Sequence, residues 1–98
     1  MIEIQTIEKL EEEINSKAPV LIYFSGENCS VCKVLKPKIE EEVKSNFPKM
    51  RVLEVKTDLS LELTAQFMVF SIPTTIIYFD AKEFKRYGRI MSVPLFIE

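Results

Sequence analysis

The chain has 98 residues, 47% apolar and 29% charged, with 13 Lys and Arg against 15 Asp and Glu for a formal net charge of −2. That length suits one domain with an ordinary core, and the charge balance implies no general attraction to nucleic acid or to an anionic membrane. There is no histidine and only one pair of cysteines, Cys29 and Cys32, which excludes Cys–His nucleophilic catalysis, histidine proton shuttling and every His-containing zinc site.

No apolar run approaches the length of a membrane span. The start, Met1-Ile2-Glu3-Ile4, has no basic region before an apolar one, so no signal peptide is expected and the expected location is cytoplasmic. In that compartment a close cysteine pair is more often catalytic or metal-binding than a structural staple.

Met1 to Gln5 alternates weakly and reads as a short edge strand. Thr6 is placed to cap a helix with Glu8 in its first turn, and Ile7, Leu10 and Ile14 form its apolar stripe, ending near Asn15-Ser16. Glu11-Glu12-Glu13 reads as its solvated face. Ala18-Pro19 opens a strand of five unbroken apolar residues, Val20 to Phe24, stopped by Ser25-Gly26. Such a run suits a strand covered on both faces. The period then changes. Val31, Val34, Leu35, Ile39 and Val43 make one stripe of a helix from about Cys29 to Ser45. Pro37 lies inside it and should kink it, because proline removes a hydrogen bond and crowds the preceding turn. Glu40-Glu41-Glu42 reads as another solvated face.

Phe47-Pro48 breaks the chain. Arg51 to Thr57 reads as a strand with Val52, Leu53 and Val55 apolar. Asp58 or Ser60 can cap a helix running to about Phe70, with Leu59, Leu63, Phe67 and Phe70 as its buried stripe. Ser71-Ile72-Pro73 is a loop, and Thr74 to Phe79 a strand. Asp80 to Glu83 turns into a last strand, Phe84 to Tyr87, closed by Gly88, and this pair suggests an antiparallel hairpin. The order is β-α-β-α-β-α-β-β. It predicts an α/β fold with a central mixed sheet of four to five strands flanked by helices. The tail, Arg89 to Glu98, contains Pro94 and leaves room for only a short helix or turn. A thinly covered sheet face is expected there, and with it dimerisation or reduced stability.

The cysteines sit where strand becomes helix. A helix start carries unpaired N–H groups and a partial positive charge, which favour a thiolate, so Cys29 should have a lowered pKa. Cys32 lies nearly one turn on, on the same face and within reach of a disulfide. Three readings of the pair are open. It can be a reversible dithiol/disulfide centre. It can be half of a zinc or iron–sulfur site completed in a dimer, although nothing nearby supplies further ligands. It can also be a pair kept without turnover. The first is preferred.

These features together resemble the thioredoxin family. The likeness rests on the buried strand, the Cys29-Ser30-Val31-Cys32-Lys33 segment, Pro37 within the helix, Ser71-Ile72-Pro73-Thr74 before a second apolar strand, the gap from Cys32 to Pro73, and Gly88. It extends from about Thr6 to Gly88. The resemblance implies a thioredoxin fold with the C-terminal helix short or missing, as a single thioredoxin-like domain over residues 1–98. It implies a thiol–disulfide oxidoreductase in which Cys29 attacks the disulfides of proteins or small molecules and Cys32 resolves the mixed disulfide. Pro73 resembles the family's cis-proline facing the cysteines, and Ile72 would then offer backbone groups to an extended substrate. Asn28, before the first cysteine, joins that expected substrate surface.

The implied partners are disulfide-containing proteins and a thioredoxin reductase or thiol pool as electron donor. No cofactor, nucleic acid or membrane is implied, and the expected state is a monomer or weak homodimer. Several residues depart from the family pattern. Asn28 replaces a tryptophan, and Ser30-Val31 replaces Gly-Pro. Met68 replaces a glycine and makes that surface more apolar. Tyr23 replaces the buried aspartate that passes a proton to the resolving cysteine; with a pKa of about 10 it is a poor base and reads as a core residue. Lys33 and Glu54 are the candidates to serve instead, Lys33 reading rather as a surface charge. Two other functions stay open: a thioredoxin-fold binding module without turnover, and a glutaredoxin-like enzyme using glutathione.

Overall fold

The structure, a computed structural model, describes residues 1–88. Strands and helices follow in the expected order: β1 (Ile2–Glu3), α1 (Ile7–Asn15), β2 (Val20–Ser25), α2 (Ser30–Asn46), β3 (Arg51–Lys56), α3 (Leu61–Gln66), β4 (Thr74–Phe79) and β5 (Lys82–Tyr87). The five strands form one mixed sheet in the order β1-β3-β2-β4-β5. β1, β3 and β2 are parallel neighbours, and β4 and β5 are added antiparallel. This puts the unbroken apolar run at the centre of the sheet, as a strand without polar positions requires.

Strand side chains alternate between faces, and the two faces have different cores. Val20, Ile22 and Phe24 join Leu53, Val55 and Ile76 under α1 and α3, with Leu10, Ile14 and Leu63 from those helices. Leu21, Tyr23 and Ile77 pack on the other face under α2, against Cys32, Leu35, Ile39 and Val43. Local chemistry sets the helix ends. The Thr6 hydroxyl accepts the Lys9 N–H at the start of α1, as expected. α2 runs as one continuous helix with Pro37 inside.

Four expectations are corrected. The buried stripe of α2 is Cys32, Leu35, Ile39 and Val43, and Val31 and Val34 are exposed. Cys32 is itself a small apolar side chain, and it completes a three-four-four spacing that the valines miss. α3 stops at Gln66 rather than Phe70, because Met68 takes a left-handed φ of 54°. Leu63 is buried and Phe67 partly so, whereas Leu59 and Phe70 stand in solvent. The last strand begins at Lys82, because Asp80 and Ala81 alone form the turn, with φ of 54° and 64°. That pair of left-handed residues is the two-residue hairpin geometry, in which Phe79 faces Lys82. Glu13 is buried rather than solvated, and it accepts both Nε and Nη2 of Arg51 across the face of the sheet. The expected short C-terminal helix or turn lies outside the described residues.

Candidate active site

β2 carries the chain to the edge of the sheet and releases it at Gly26. A Cβ placed on Gly26 would lie 2.8 Å from Ile72 Cδ1, so this turn passes close to the 71–73 loop and any larger residue here would have to push the tip of the Ile72 side chain aside. The turn is tied to β3: the Thr57 N–H and hydroxyl both donate to the Ser25 carbonyl, at 2.8 and 3.1 Å. Asn28 is exposed in this turn. Cys29 follows as the N-cap of α2, and its Sγ accepts the Cys32 N–H at 3.1 Å. The two sulfurs are joined as a disulfide, with the Cα atoms 5.2 Å apart. Cys29 is partly exposed, while Cys32 is only 2% exposed.

Tyr23 lies fully buried beneath the pair, and its hydroxyl donates to the Cys32 carbonyl at 2.8 Å. Burial, with the charge of Glu54 second, pushes its phenol far above the usual tyrosine value. Tyr23 therefore keeps its proton and anchors the first turn of α2. The core reading of this residue holds, with the addition of that bond. Lys33 is exposed on the first turn.

The 71–73 loop closes the site from the other side. The Ile72–Pro73 bond is cis, as the resemblance implied, and Pro73 is buried. Ile72 and Cys29 are both partly buried and pack against the same cluster under α2. Cys29, Cys32 and Ile72 thus share one cluster, with Pro73 next to Ile72 in the chain. Met68 and Phe70, 63% and 90% exposed, present apolar surface on the same segment. The Arg86 guanidinium, which the sequence did not single out, donates to the carbonyls of Phe67 and Met68 at 3.1 and 3.2 Å and pins this segment to β5.

A second group escaped the sequence reading in part. Ser25, Cys32, Lys33, Lys36, Glu54 and Lys56 are among the residues that line a cavity of about 120 Å³. Glu54, singled out in the sequence, is 6% exposed. One carboxylate oxygen accepts the Ser25 hydroxyl and the other the Lys36 ammonium, both at 2.9 Å. Burial pushes this carboxyl up, but the bonds from Lys36 and Ser25 and the charges of Lys36 and Lys56 outweigh it and hold it below the usual carboxylate value. Lys36 had one signal in the sequence, standing four residues after Cys32 and so on the same face of α2. Among the described residues no group of three or more His, Cys, Asp or Glu side chains could hold a metal ion. Among them, too, no helix is long and apolar enough to cross a membrane.

A family model described as Thioredoxin matches residues 1–92. Thioredoxin from Rickettsia bellii is 36% identical over 73 residues, spanning 74% of this chain and 70% of that protein. Thioredoxin from Chlamydia trachomatis serovar D is 36% identical over 86 residues, spanning 88% of this chain and 82% of that one. Among solved structures, Fasciola hepatica thioredoxin superposes with a TM-score of 0.82 at 28% identity, covering 90% of this chain and 86% of its own.

Proposed function

The chain belongs to the thioredoxin family and is a thiol–disulfide oxidoreductase, and from that premise we propose that Cys29 is its attacking thiol and Cys32 its resolving thiol. The observation that carries this assignment is the difference in access between two sulfurs of one pair. Cys29 is partly exposed at the mouth of the turn, and Cys32 is buried under it. A substrate can reach only the first.

The chemistry follows from the position. At the N-cap, the Cys29 sulfur faces the free N–H groups and positive end of α2, which favour its thiolate over its thiol. The thiolate attacks one sulfur of a substrate disulfide and releases the other as a thiol. The resulting mixed disulfide is broken when Cys32 attacks Cys29, which frees the reduced substrate and leaves the Cys29–Cys32 disulfide. The substrate is a disulfide-bearing protein, and its chain lies in extended form along Asn28 and the Ile72–Pro73 segment. Ile72 supports that role by packing, like Cys29, against the cluster under α2, and its backbone can pair with an added strand. A thioredoxin reductase or a thiol pool returns two electrons, so no cofactor is needed. The protein works in the cytoplasm as a single domain.

The test is insulin-disulfide reduction driven by dithiothreitol. Cys29→Ser should abolish catalysis, and Cys32→Ser should trap a mixed disulfide on Cys29. Reduction by the Cys29→Ser chain at the unsubstituted rate would overturn the assignment.

A further inference from the structure

Cys32 must give up a proton before it can attack, yet its sulfur is buried and its helix offers it no base. The cavity of about 120 Å³ that it shares with Glu54 answers the need. A space of about 10–15 Å³ by the same kind of measure holds one water, so this cavity has room for several. It is also polar enough to keep them, with the Glu54 carboxylate, the Ser25 hydroxyl and the lysine ammonium groups on its walls.

We propose that Glu54 relays the proton of Cys32 through water in this cavity, with Ser25 and Lys36 as positioning residues that hold its carboxylate there. Each Glu54 oxygen already accepts one bond, from Ser25 or from Lys36, and keeps a lone pair for water. The Tyr23 hydroxyl is committed elsewhere, donating to the Cys32 carbonyl, and Lys33, the other candidate, is an exposed surface charge. The inference rests on the roles proposed for the two cysteines. In the step itself, the Cys32 thiol gives its proton through water to Glu54. The Cys32 thiolate then forms the bond to Cys29 Sγ, the bond from Cys29 to the substrate sulfur breaks, and that sulfur leaves with the electron pair. The proton returns from Glu54 to the departing thiolate. Two electrons pass from the cysteine pair to the substrate and no further reagent is consumed.

Charged groups face Glu54 from every side. Lys33 and Lys36 come from α2, Lys56 from β3, Glu27 from the active turn and Tyr23 from β2, and Glu3 of β1 pairs in register with Glu54 itself. Lys56 is bound to Glu27 at 3.1 Å. Lys36, bonded to one of the carboxylate oxygens at 2.9 Å, is the cation that most directly sets the low-pH limit of the relay.

The experiment separates attack from resolution. The reduced full-length chain is mixed with excess of a cystine-containing peptide from pH 3 to 9. Acid-quenched samples are weighed by mass spectrometry for the mixed disulfide and the Cys29–Cys32 disulfide. Glu54→Gln should slow resolution by about 100-fold at pH 7, within the range for a lost general acid–base group, and the deficit should shrink as pH rises and hydroxide takes over. Glu54→Asp should recover part of the rate. In a Cys32→Ser background, where only attack occurs, Glu54→Gln should change nothing.

Equal slowing of attack and resolution, or resolution at the unsubstituted rate across the range, overturns the relay. If Glu54→Gln does not fold, Lys36→Met takes its place. Loss of that cation lets the carboxyl take a proton at higher pH, so the low-pH limb of the resolution profile must move upward, and an unmoved limb overturns the relay. If the unsubstituted chain never forms the Cys29–Cys32 disulfide, the failure belongs to the proposed function, and the relay falls with it.

Discussion

The two faces of β2 are built from alternate residues of one strand and differ in what they are for. Val20, Ile22 and Phe24 look into hydrocarbon only, under α1 and α3. Leu21 and Tyr23 look toward α2, where the cluster includes a cysteine, and the same side carries Ser25, Glu54 and Lys36 in a polar cavity. On the first face these strand side chains need no partner, and the buried Glu13 of α1 is paired with Arg51. On the second, each buried polar group costs stability unless its hydrogen bond is made. Hence Tyr23, Ser25, Glu54 and Lys36 are bonded to one another or to the Cys32 carbonyl. The first face holds the sheet together, and the second places a sulfur, a carboxylate and a cavity at fixed positions.

The largest effect on stability should come from the hydrocarbon face. Phe24 is fully buried, with Phe67 packed at a ring distance of 6.3 Å. Phe24→Ala should cost about 3–5 kcal/mol in urea unfolding, from lost burial and the cavity left behind. Where the variant is folded, its resolution rate and pH profile should match the unsubstituted chain. A loss under about 1 kcal/mol, or an altered pH profile, would mean that the two faces are not separate.

Tyr23→Phe probes the other face with a smaller effect. It removes one hydroxyl and leaves the Cys32 carbonyl without its donor, at a cost of about 1–2 kcal/mol in unfolding free energy. Because Tyr23 anchors and does not titrate, the pH dependence of resolution should keep its shape while stability falls. Glu54→Gln has the reverse signature, with a changed pH profile. A changed profile in Tyr23→Phe would move the relay from β3 to β2.

The sequence made these faces legible to different degrees. Element order was plain because the period shifts from two to near four at Cys29 and back at Arg51, and Pro19, Gly26 and Pro48 punctuate those shifts. The cysteine pair was plain because it stands at a strand-to-helix junction. The stripe of α2 was misplaced because Cys32 was weighed as chemistry and not as a buried apolar side chain. Glu13 was misread because its partner, Arg51, is 38 residues away and meets it only after α1 packs on the sheet. The cavity was half-legible. Glu54 and Lys36 are 18 residues apart, and only the parallel register of β2 and β3 carries Glu54 beneath the helix that bears Lys36. Turn chemistry was the remaining gap, since Met68, Asp80 and Ala81 all take positive φ without being glycine.

Met68 gives the smallest effect and bears on both faces. It ends α3 in the left-handed region, where its N–H donates to the Ala65 carbonyl. A side chain there costs about 1–2 kcal/mol relative to glycine. Its neighbour Val69 is buried in the hydrocarbon cluster, while the Met68 side chain itself is 63% exposed shortly before the 71–73 loop. Met68→Gly therefore sheds strain and loses little burial, against the extra freedom glycine gives the unfolded chain. The net gain should be about 0.5–1 kcal/mol, a rise of a few degrees in Tm for a domain of about this size. Exchange with a small disulfide should be unchanged. Reduction of insulin should slow modestly, through KM, if the exposed thioether is part of the surface that receives a protein chain. A gain in stability with insulin kinetics untouched would confine substrate contact to Asn28, Ile72 and Pro73, and leave Met68 as a strained helix end with no part in docking.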